Sequence, residues 1–120
     1  MSRLSVEEIY QQIGKIVEPF AVLECDKCAT AVMQWLEENG IEGKILRLRT
    51  RYRDEDYIIS DRLERQGIAD SITTNGQHYG VEVLGRVFDN LSTEGMVRED
   101  WLNDFHCMSE QFLVEEVESL

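Results

Sequence analysis

The stretch "LECDKCATAVMQWLEENG" (residues 23–40) decides how the chain is organised. Its apolar residues recur at the spacing of one helix face, and they are Cys28, Ala31, Val32, Trp35 and Leu36. The Asn-Gly pair that follows is a typical C-terminal cap, so the pattern predicts a helix over about 26–38. Two cysteines, Cys25 and Cys28, therefore lie three residues apart at the start of this helix.

The segments on both sides also have clear patterns. Ser5 and Glu8 have the spacing of a capping box, which predicts a first helix ending near Glu18, before the single proline. Downstream, "KILRLRTRYR" (residues 44–53) alternates strictly and predicts a half-buried strand, with Leu46, Leu48 and Tyr52 on its buried face. Its other face carries Arg47, Arg49, Arg51 and Arg53. We expect this basic face to be solvated or to pair with the acidic segment "FLVEEVE".

The remaining elements complete an α+β order. Residues 54–76 are polar and irregular, with a turn of helix expected around 61–66. "HYGVEV" and "RVFDN" predict a hairpin that turns near Leu84-Gly85. "VREDWLNDF" predicts a short third helix, introduced by Ser92, Thr93 or the Gly95 region, and "FLVEEVE" predicts a last strand. The order is typical of an antiparallel sheet with helices packed against it.

Composition limits the class of protein. A length of 120 residues predicts a single domain over 1–120. The formal net charge of −12 argues against a nucleic-acid binder, because phosphate contacts need a basic field. No stretch resembles a signal peptide or reaches transmembrane length, so we expect no membrane partner. Three cysteines cannot all pair within the chain. We expect a cytoplasmic protein, or one exported by a specialised machinery that needs no standard signal.

One constellation of residues points to catalysis. A thiol at a helix N-terminus is favoured as thiolate by the helix dipole and by free backbone N–H groups. His78 begins the predicted hairpin directly after an Asn-Gly-Gln loop, and the hairpin brings Asp89 or Asn90 to within a residue or two of it. A cysteine, a histidine base and an orienting carboxylate or amide are the groups that cysteine acyl transfer requires. The sequence leaves open which of Asp89 and Asn90 is the third group.

The cysteines have three other interpretations. A zinc site of Cys25, Cys28, His106 and Cys107 is disfavoured, because neither pair lies in a glycine knuckle. A thioredoxin-type redox pair is disfavoured, because no βαβ pattern surrounds the two cysteines. Cys28 and Cys107 are interpreted as ordinary core thiols. We expect neither a metal nor an organic cofactor.

Several of these segments together resemble a known family. "CDKCATAVMQWLEENGI", "GKILRLRT", "ITTNGQHYGVEV", "RVFDN" and "EGMVREDWLNDF" are similar to the papain-fold toxin domains of bacteria, most of all to the second such family, which is frequent in cyanobacteria. The likeness spans about residues 20–105. It implies a papain-like fold with a Cys–His–Asp triad, in domains proposed to be peptidases or deamidases of protein glutamine or asparagine.

The resemblance also implies roles for individual residues. Cys25 corresponds to the nucleophile, Ala29 to the alanine that packs one turn later, His78 to the base and Asp89 to the orienting acid. Cys28 would then point to the core, although the doubled cysteine leaves Cys25 and Cys28 both open as nucleophile. We expect a cysteine enzyme that attacks a protein or peptide amide, or a non-catalytic binding module on the same scaffold. An immunity protein covering the cleft is expected as a partner from the resemblance alone; the oligomeric state is not indicated.

Overall fold

The structure, a computed structural model, describes residues 4–120, so the first three residues of the expected domain lie outside it. It contains four helices and a five-stranded antiparallel sheet, which confirms the α+β class. In chain order the elements are α1 Val6–Val17, α2 Cys25–Glu38, β1 Lys44–Thr50, β2 Ile59–Ser60, α3 Asp61–Glu64, β3 Gln77–Val83, β4 Arg86–Asp89, β5 Ser92–Met96, α4 Arg98–Asn103, β6 Phe105–His106 and β7 Phe112–Val117.

The two long helices form where the sequence predicts them. The Ser5 hydroxyl accepts the Glu8 backbone N–H at 3.2 Å, and the Glu8 carboxylate accepts the Ser5 N–H at 3.2 Å, so the capping box is present. Helix α2 begins at Cys25, one residue before the predicted start, and Gly40 terminates it with a φ of 66°. The thiol of Cys25 therefore lies on the first residue of a helix.

The main sheet has the strand order β5-β4-β3-β1-β7, and every pairing is antiparallel. Strands β3 and β4 form the predicted hairpin, which turns through Leu84 and Gly85 with φ of 49° and 85°. Strand β7 pairs with β1 and brings Glu115 opposite Arg47, so the acidic strand does pair with the basic one. The hairpin turn sets the register that brings His78 and Asp89 to the same end of the sheet.

Each face of the sheet is covered by a hydrophobic core. Helices α1 and α2 cover one face, and this helix-side core is built from Ile9, Ile13, Val17, Cys28, Ala29, Val32, Leu36, Val81, Val83 and Phe88. The opposite face carries a second core built from Leu46, Leu48, Ile58, Leu63, Ile72, Val87, Leu91, Trp101 and Phe105. Strand β1 thus contributes its alternate leucines to the second core, as its pattern predicts.

Two local expectations are wrong. Strand β1 ends at Thr50, whose hydroxyl donates to the carbonyl of Glu55 at 2.7 Å and closes a turn, so Tyr52 leaves the buried face and is 44% exposed. The segment from Ser92, expected to introduce the third helix, is instead the edge strand β5. No helix within residues 4–120 combines the length and the apolar character needed to cross a membrane.

Candidate active site

Cys25 lies at the N-terminus of α2, has a free thiol, and is 9% exposed as a residue. The preceding residue, Glu24, makes no side-chain capping bond to the helix. Its carboxylate accepts the backbone N–H of Ala21 at 2.8 Å instead. The N–H groups of the first turn are thus not satisfied by the capping side chain, and they can donate to an oxygen that develops negative charge beside Cys25.

His78 is the second residue of β3 and is fully buried. Its ring packs against Phe105, with centroids 5.1 Å apart, and its Nε2 lies 3.0 Å from Oδ2 of Asp89. Its Nδ1 is buried and has no nitrogen or oxygen partner among residues 4–120. The thiol of Cys25 is the titratable group that interacts with the imidazole besides Asp89. The imidazole therefore lies between a carboxylate and a thiol.

The two groups change each other's protonation. Burial alone raises the pKa of the Cys25 thiol, but the hydrogen bond and positive charge of His78, with the backbone amide of Tyr79, outweigh burial and lower it overall. Burial alone lowers the pKa of His78, but the hydrogen bonds to Asp89 and Cys25 and their charges raise it to about 9. These opposite shifts favour a thiolate–imidazolium pair near neutral pH.

Asp89 is held as a buried anion by four N–H donors besides His78. Arg62 makes a two-pronged contact, Nη1 to Oδ1 at 2.9 Å and Nη2 to Oδ2 at 2.8 Å. The indole Nε1 of Trp101 donates to Oδ2 at 2.9 Å, and the backbone N–H of Leu91 donates to Oδ1 at 3.1 Å. Burial raises the pKa of Asp89, but the charge and hydrogen bonds of Arg62 and His78 hold it well below its usual range.

Arg62 is itself oriented by a second buried acid. Its Nε donates to Oδ2 of Asp104 at 2.8 Å, and its Nη1 donates to the Ser92 hydroxyl at 2.7 Å. Asp104 also accepts the Ser60 hydroxyl at 2.5 Å and the Arg62 backbone N–H at 3.0 Å. The sequence interpretation missed Arg62 and Asp104. The available signal was the position of Asp89 directly after the apolar pair Val87-Phe88, since a carboxylate buried with such a strand requires a cation or several donors.

Asn90, the alternative to Asp89, has a different contact. Its side-chain amide donates to the carbonyls of Ala21 and Val22 at 2.6 and 2.8 Å. It therefore ties the end of β4 to the segment that leads into α2. Of the two candidates, the structure brings Asp89 to His78.

Cys28 and Ala29 lie in the helix-side core, 1% and 2% exposed. Burial, reinforced by the negative charges of Asp89 and Cys25, raises the pKa of the Cys28 thiol to about 12. At neutral pH this thiol is protonated and inaccessible. Of the two cysteines, Cys25 is the one that interacts with His78 and lines the cleft.

A cleft of about 370 Å³ opens beside Cys25. Its walls are formed by the start of α2, the 72–75 loop and the first residues of β3, and they include Leu23, Asp26, Ile72, Thr73, Thr74, Asn75, Gln77, Tyr79 and Leu120. The loop is ordered by Asn75, whose Oδ1 accepts the Thr73 hydroxyl at 2.8 Å and the Gln77 N–H at 3.1 Å. The cleft thus joins apolar contact area to amide and hydroxyl groups near the thiol.

The other two residues of the disfavoured zinc site, His106 and Cys107, have other contacts. His106 lies 2.9 Å from Asp61 through Nε2 and 2.7 Å from Glu110 through Nδ1. Cys107 is buried, and its thiol donates to Glu55 at 3.2 Å. Within the part of the chain that the structure describes, no group of three or more metal-binding side chains is arranged to hold an ion.

Comparison with known proteins gives one family match. No curated protein and no solved structure matches the chain. The family model described as papain fold toxin 2 matches residues 8–106, which include the thiol, the imidazole, Asp89 and the arginine that holds it. With most of its length matched, the chain belongs to the papain fold toxin 2 family.

Proposed function

We propose that this protein is a papain-like cysteine hydrolase that attacks an amide of a protein or peptide. Cys25 is the nucleophile, His78 the general base and acid, and Asp89 the group that orients the imidazole. The observation that carries the proposal is the position of the His78 ring, with Nε2 bonded to Asp89 and Nδ1 left for the thiol at the start of α2.

The acylation step follows from the charge state of the pair. The Cys25 thiolate attacks the carbonyl carbon of the amide, and the carbonyl oxygen becomes an oxyanion that the N–H groups at the start of α2 stabilise. The His78 imidazolium then donates its proton to the departing nitrogen, which leaves as ammonia or as an amine. Asp89 keeps the ring oriented throughout and remains ionised because of Arg62.

Hydrolysis of the acyl-enzyme regenerates the site. Neutral His78 removes a proton from water, the hydroxide adds to the thioester carbon, and the tetrahedral intermediate expels the Cys25 thiolate. The product is a carboxylic acid, and the thiolate–imidazolium pair is restored. No step requires a metal or an organic cofactor.

The restricted access to the thiol bears on which amide is attacked. Cys25 is 9% exposed and His78 is fully buried, so the reacting carbonyl must enter a narrow opening. The side-chain amide of a glutamine extends away from its backbone, whereas a peptide carbonyl brings its chain with it. This supports deamidation of protein glutamine or asparagine ahead of backbone cleavage.

Family membership supports a biological context for this chemistry. A toxin domain acts on a protein of a target cell, and a producing cell protects itself with an immunity protein, which we expect to cover the Cys25 cleft. We place the activity in a single domain spanning residues 1–120. It would act in the cytoplasm of the producing cell, or of a target cell after export by a specialised machinery.

The first experiment measures iodoacetamide labelling of each cysteine by mass spectrometry across pH, in the parent protein, in His78→Ala and in Cys28→Ser. We expect Cys25 to be labelled at about pH 6, Cys28→Ser to behave as the parent, and His78→Ala to lose the low-pH reaction. Labelling of Cys28 in place of Cys25 would assign the role of nucleophile to Cys28. If no cysteine reacts below about pH 8, the hydrolase is rejected in favour of a non-catalytic binding module on this scaffold.

A second experiment separates the two reactions. Incubation of the parent and Cys25→Ala with a bacterial lysate, followed by peptide mass spectrometry, reports both products. Deamidation converts glutamine to glutamate, releases ammonia and leaves chain lengths unchanged, whereas peptidase action creates new amino termini. A product that Cys25→Ala forms equally is not due to this site.

A further inference from the structure

A basic groove adjoins the Cys25 cleft on the same side of the sheet. The groove has a volume of about 610 Å³, and its walls include Arg47, Arg49, Arg53, Gln77 and Glu115. This arginine groove stands out because the chain as a whole has a net charge of −12. The electrostatic field of the whole protein is negative, so the positive charge of the groove is a local feature that can attract an acidic ligand.

The charges in the groove are incompletely neutralised. Arg47 Nη2 and Arg49 Nε both contact Glu115, at 3.0 and 3.1 Å, so two guanidinium groups share one carboxylate. Arg53 makes no ion pair with any residue between 4 and 120. The groove therefore presents three arginines against a single acid in its walls.

The arginine groove is continuous with the cleft. Asn75 and Gln77 line both cavities. In the sheet register Arg49 lies opposite Gln77 and Arg47 lies opposite Tyr79, so the arginines are one strand away from residues of the cleft wall. Adjacent strands are about 4.8 Å apart and an extended peptide advances about 3.3 Å per residue. A side chain about two to four residues from the reacting position can therefore reach the groove.

We infer that the arginine groove binds an acidic segment of the polypeptide substrate, close in sequence to the amide that enters the Cys25 cleft. Guanidinium groups match carboxylates in geometry and form charge-assisted hydrogen bonds with them. A nucleic acid is the less suitable occupant, because it needs a long track of phosphate contacts and an overall basic field, whereas this chain has three arginines on an acidic background. The inference rests on the proposed function, since it names the substrate class of the same site.

Binding can be measured without catalysis. Three short fluorescent peptides share a central glutamine flanked by glutamates, serines or lysines, and their anisotropy is followed with the Cys25→Ala protein. We expect the acidic peptide to bind about tenfold more tightly than the serine peptide, to weaken with added salt, and the lysine peptide to bind least. Equal affinity for the acidic and serine peptides, or no detectable binding of either, overturns the inference.

Variants test whether the preference for the acidic peptide arises in the arginine groove. Arg49→Gln combined with Arg53→Gln should remove the preference for the acidic peptide, whereas Glu115→Gln, which releases two guanidinium groups, should strengthen it about threefold. Arg51→Gln is the matched control, because Arg51 bonds to Gln111 and does not line the groove. An equal loss in Arg51→Gln, or tighter binding of a single-stranded DNA oligonucleotide than of the acidic peptide, contradicts the inference.

The two proposals fail separately. Iodoacetamide is small and uncharged, so its reaction with Cys25 reports the state of the thiol and not the occupancy of the groove. If the protein prefers acidic peptides but its Cys25 is unreactive, the groove binds acidic segments and the hydrolase proposal is rejected. If Cys25 is reactive but the protein does not prefer acidic peptides, the hydrolase proposal stands and the proposed role of the groove is rejected.

Discussion

The chain has two histidines, and each contacts a carboxylate at close to 3 Å, yet their surroundings differ. His106 is 42% exposed and uses both ring nitrogens, one for Asp61 and one for Glu110. His78 is fully buried, uses Nε2 for Asp89 and leaves Nδ1 for Cys25. Both pKa values are raised, for His106 chiefly by the hydrogen bonds to its two acids. A histidine–carboxylate contact alone therefore does not identify a catalytic base.

The two histidines differ in two respects: Nδ1 of His78 is not bonded to an acid, and a buried cation, Arg62, binds the acid beside His78. The acid beside His78 is bound by Arg62, whose side chain is 10% exposed, whereas Asp61 and Glu110 are both more than a third exposed at the surface. A buried carboxylate that stays ionised keeps one nitrogen of the ring engaged and directs the other to the thiol.

The largest effect is expected from removing the cation that only the His78 site has. Arg62→Met leaves Asp89 and Asp104 buried without their shared guanidinium, so we expect a loss of about 3–5 kcal/mol in the free energy of unfolding, measured with urea. The control is Arg98→Met, which breaks surface pairs with Glu82 and Glu116 and should cost below about 1 kcal/mol. Similar losses in the two variants would mean that the buried network does not stabilise this fold.

The second largest effect is expected on the rate at which the Cys25 thiol is labelled. His78→Ala should slow labelling of Cys25 by at least about tenfold near neutral pH, because the variant keeps the burial that raises the pKa of the thiol and loses the imidazole that lowers it. His106→Ala should leave the rate unchanged, since His106 contacts Asp61 and Glu110 and not the thiol. The readout is the site-resolved rate with iodoacetamide, and circular dichroism checks that both variants fold. Equal rates for all three proteins would remove the distinction between the histidines.

The third effect concerns stability against pH. The pKa of His78 is raised to about 9, so its contribution is fully present below about pH 6.5 and is lost as pH rises through about 9. The pKa of Cys25 is lowered, so its contribution has the opposite slope: it is present above about pH 9 and is lost as pH falls. In the parent the two slopes offset each other between these values.

Removal of the thiol should expose the slope of the imidazole. Cys25→Ser should lose about 1 kcal/mol of unfolding free energy as pH rises from about 6.5 towards 9, while the parent changes little, because Asp89 alone still raises the pKa of His78, though by less than Asp89 and the thiolate together. Urea unfolding across this range measures both. Adding His78→Gln to Cys25→Ser should flatten the curve again, and a slope that survives this change has its origin elsewhere.

The smallest effect is confined to the exposed histidine. Glu110→Gln removes one of the two acids of His106, so its pKa should fall while staying above the ordinary value, because Asp61 remains. Two-dimensional NMR of the imidazole signals follows both histidines in one titration, and His78 should not respond. A parallel shift of His78 would show that the two sites are coupled.

Local signals predicted most of the fold and part of the site. The capping box, the helical stripe of α2 and the Leu84-Gly85 turn each act within a few residues, and the hairpin register brings Asp89 to His78. Strand β5 was missed because "STEGM" has neither alternation nor β-branched density. Arg62 was missed because it lies 27 residues from Asp89 in a polar segment, and no periodicity connects the two.

The contact of Asn90 with the Ala21 and Val22 carbonyls has a consequence for biosynthesis. The residues it joins are 68 and 69 positions apart, and the indole that donates to Asp89 comes later still, at Trp101. Cys25 leaves the ribosome early, but His78, Asp89 and Asn90 follow only after most of the chain is translated. A nascent or truncated chain that ends before these residues lacks the groups that lower the pKa of the Cys25 thiol, so labelling of Cys25 at low pH would report that they have assembled around it.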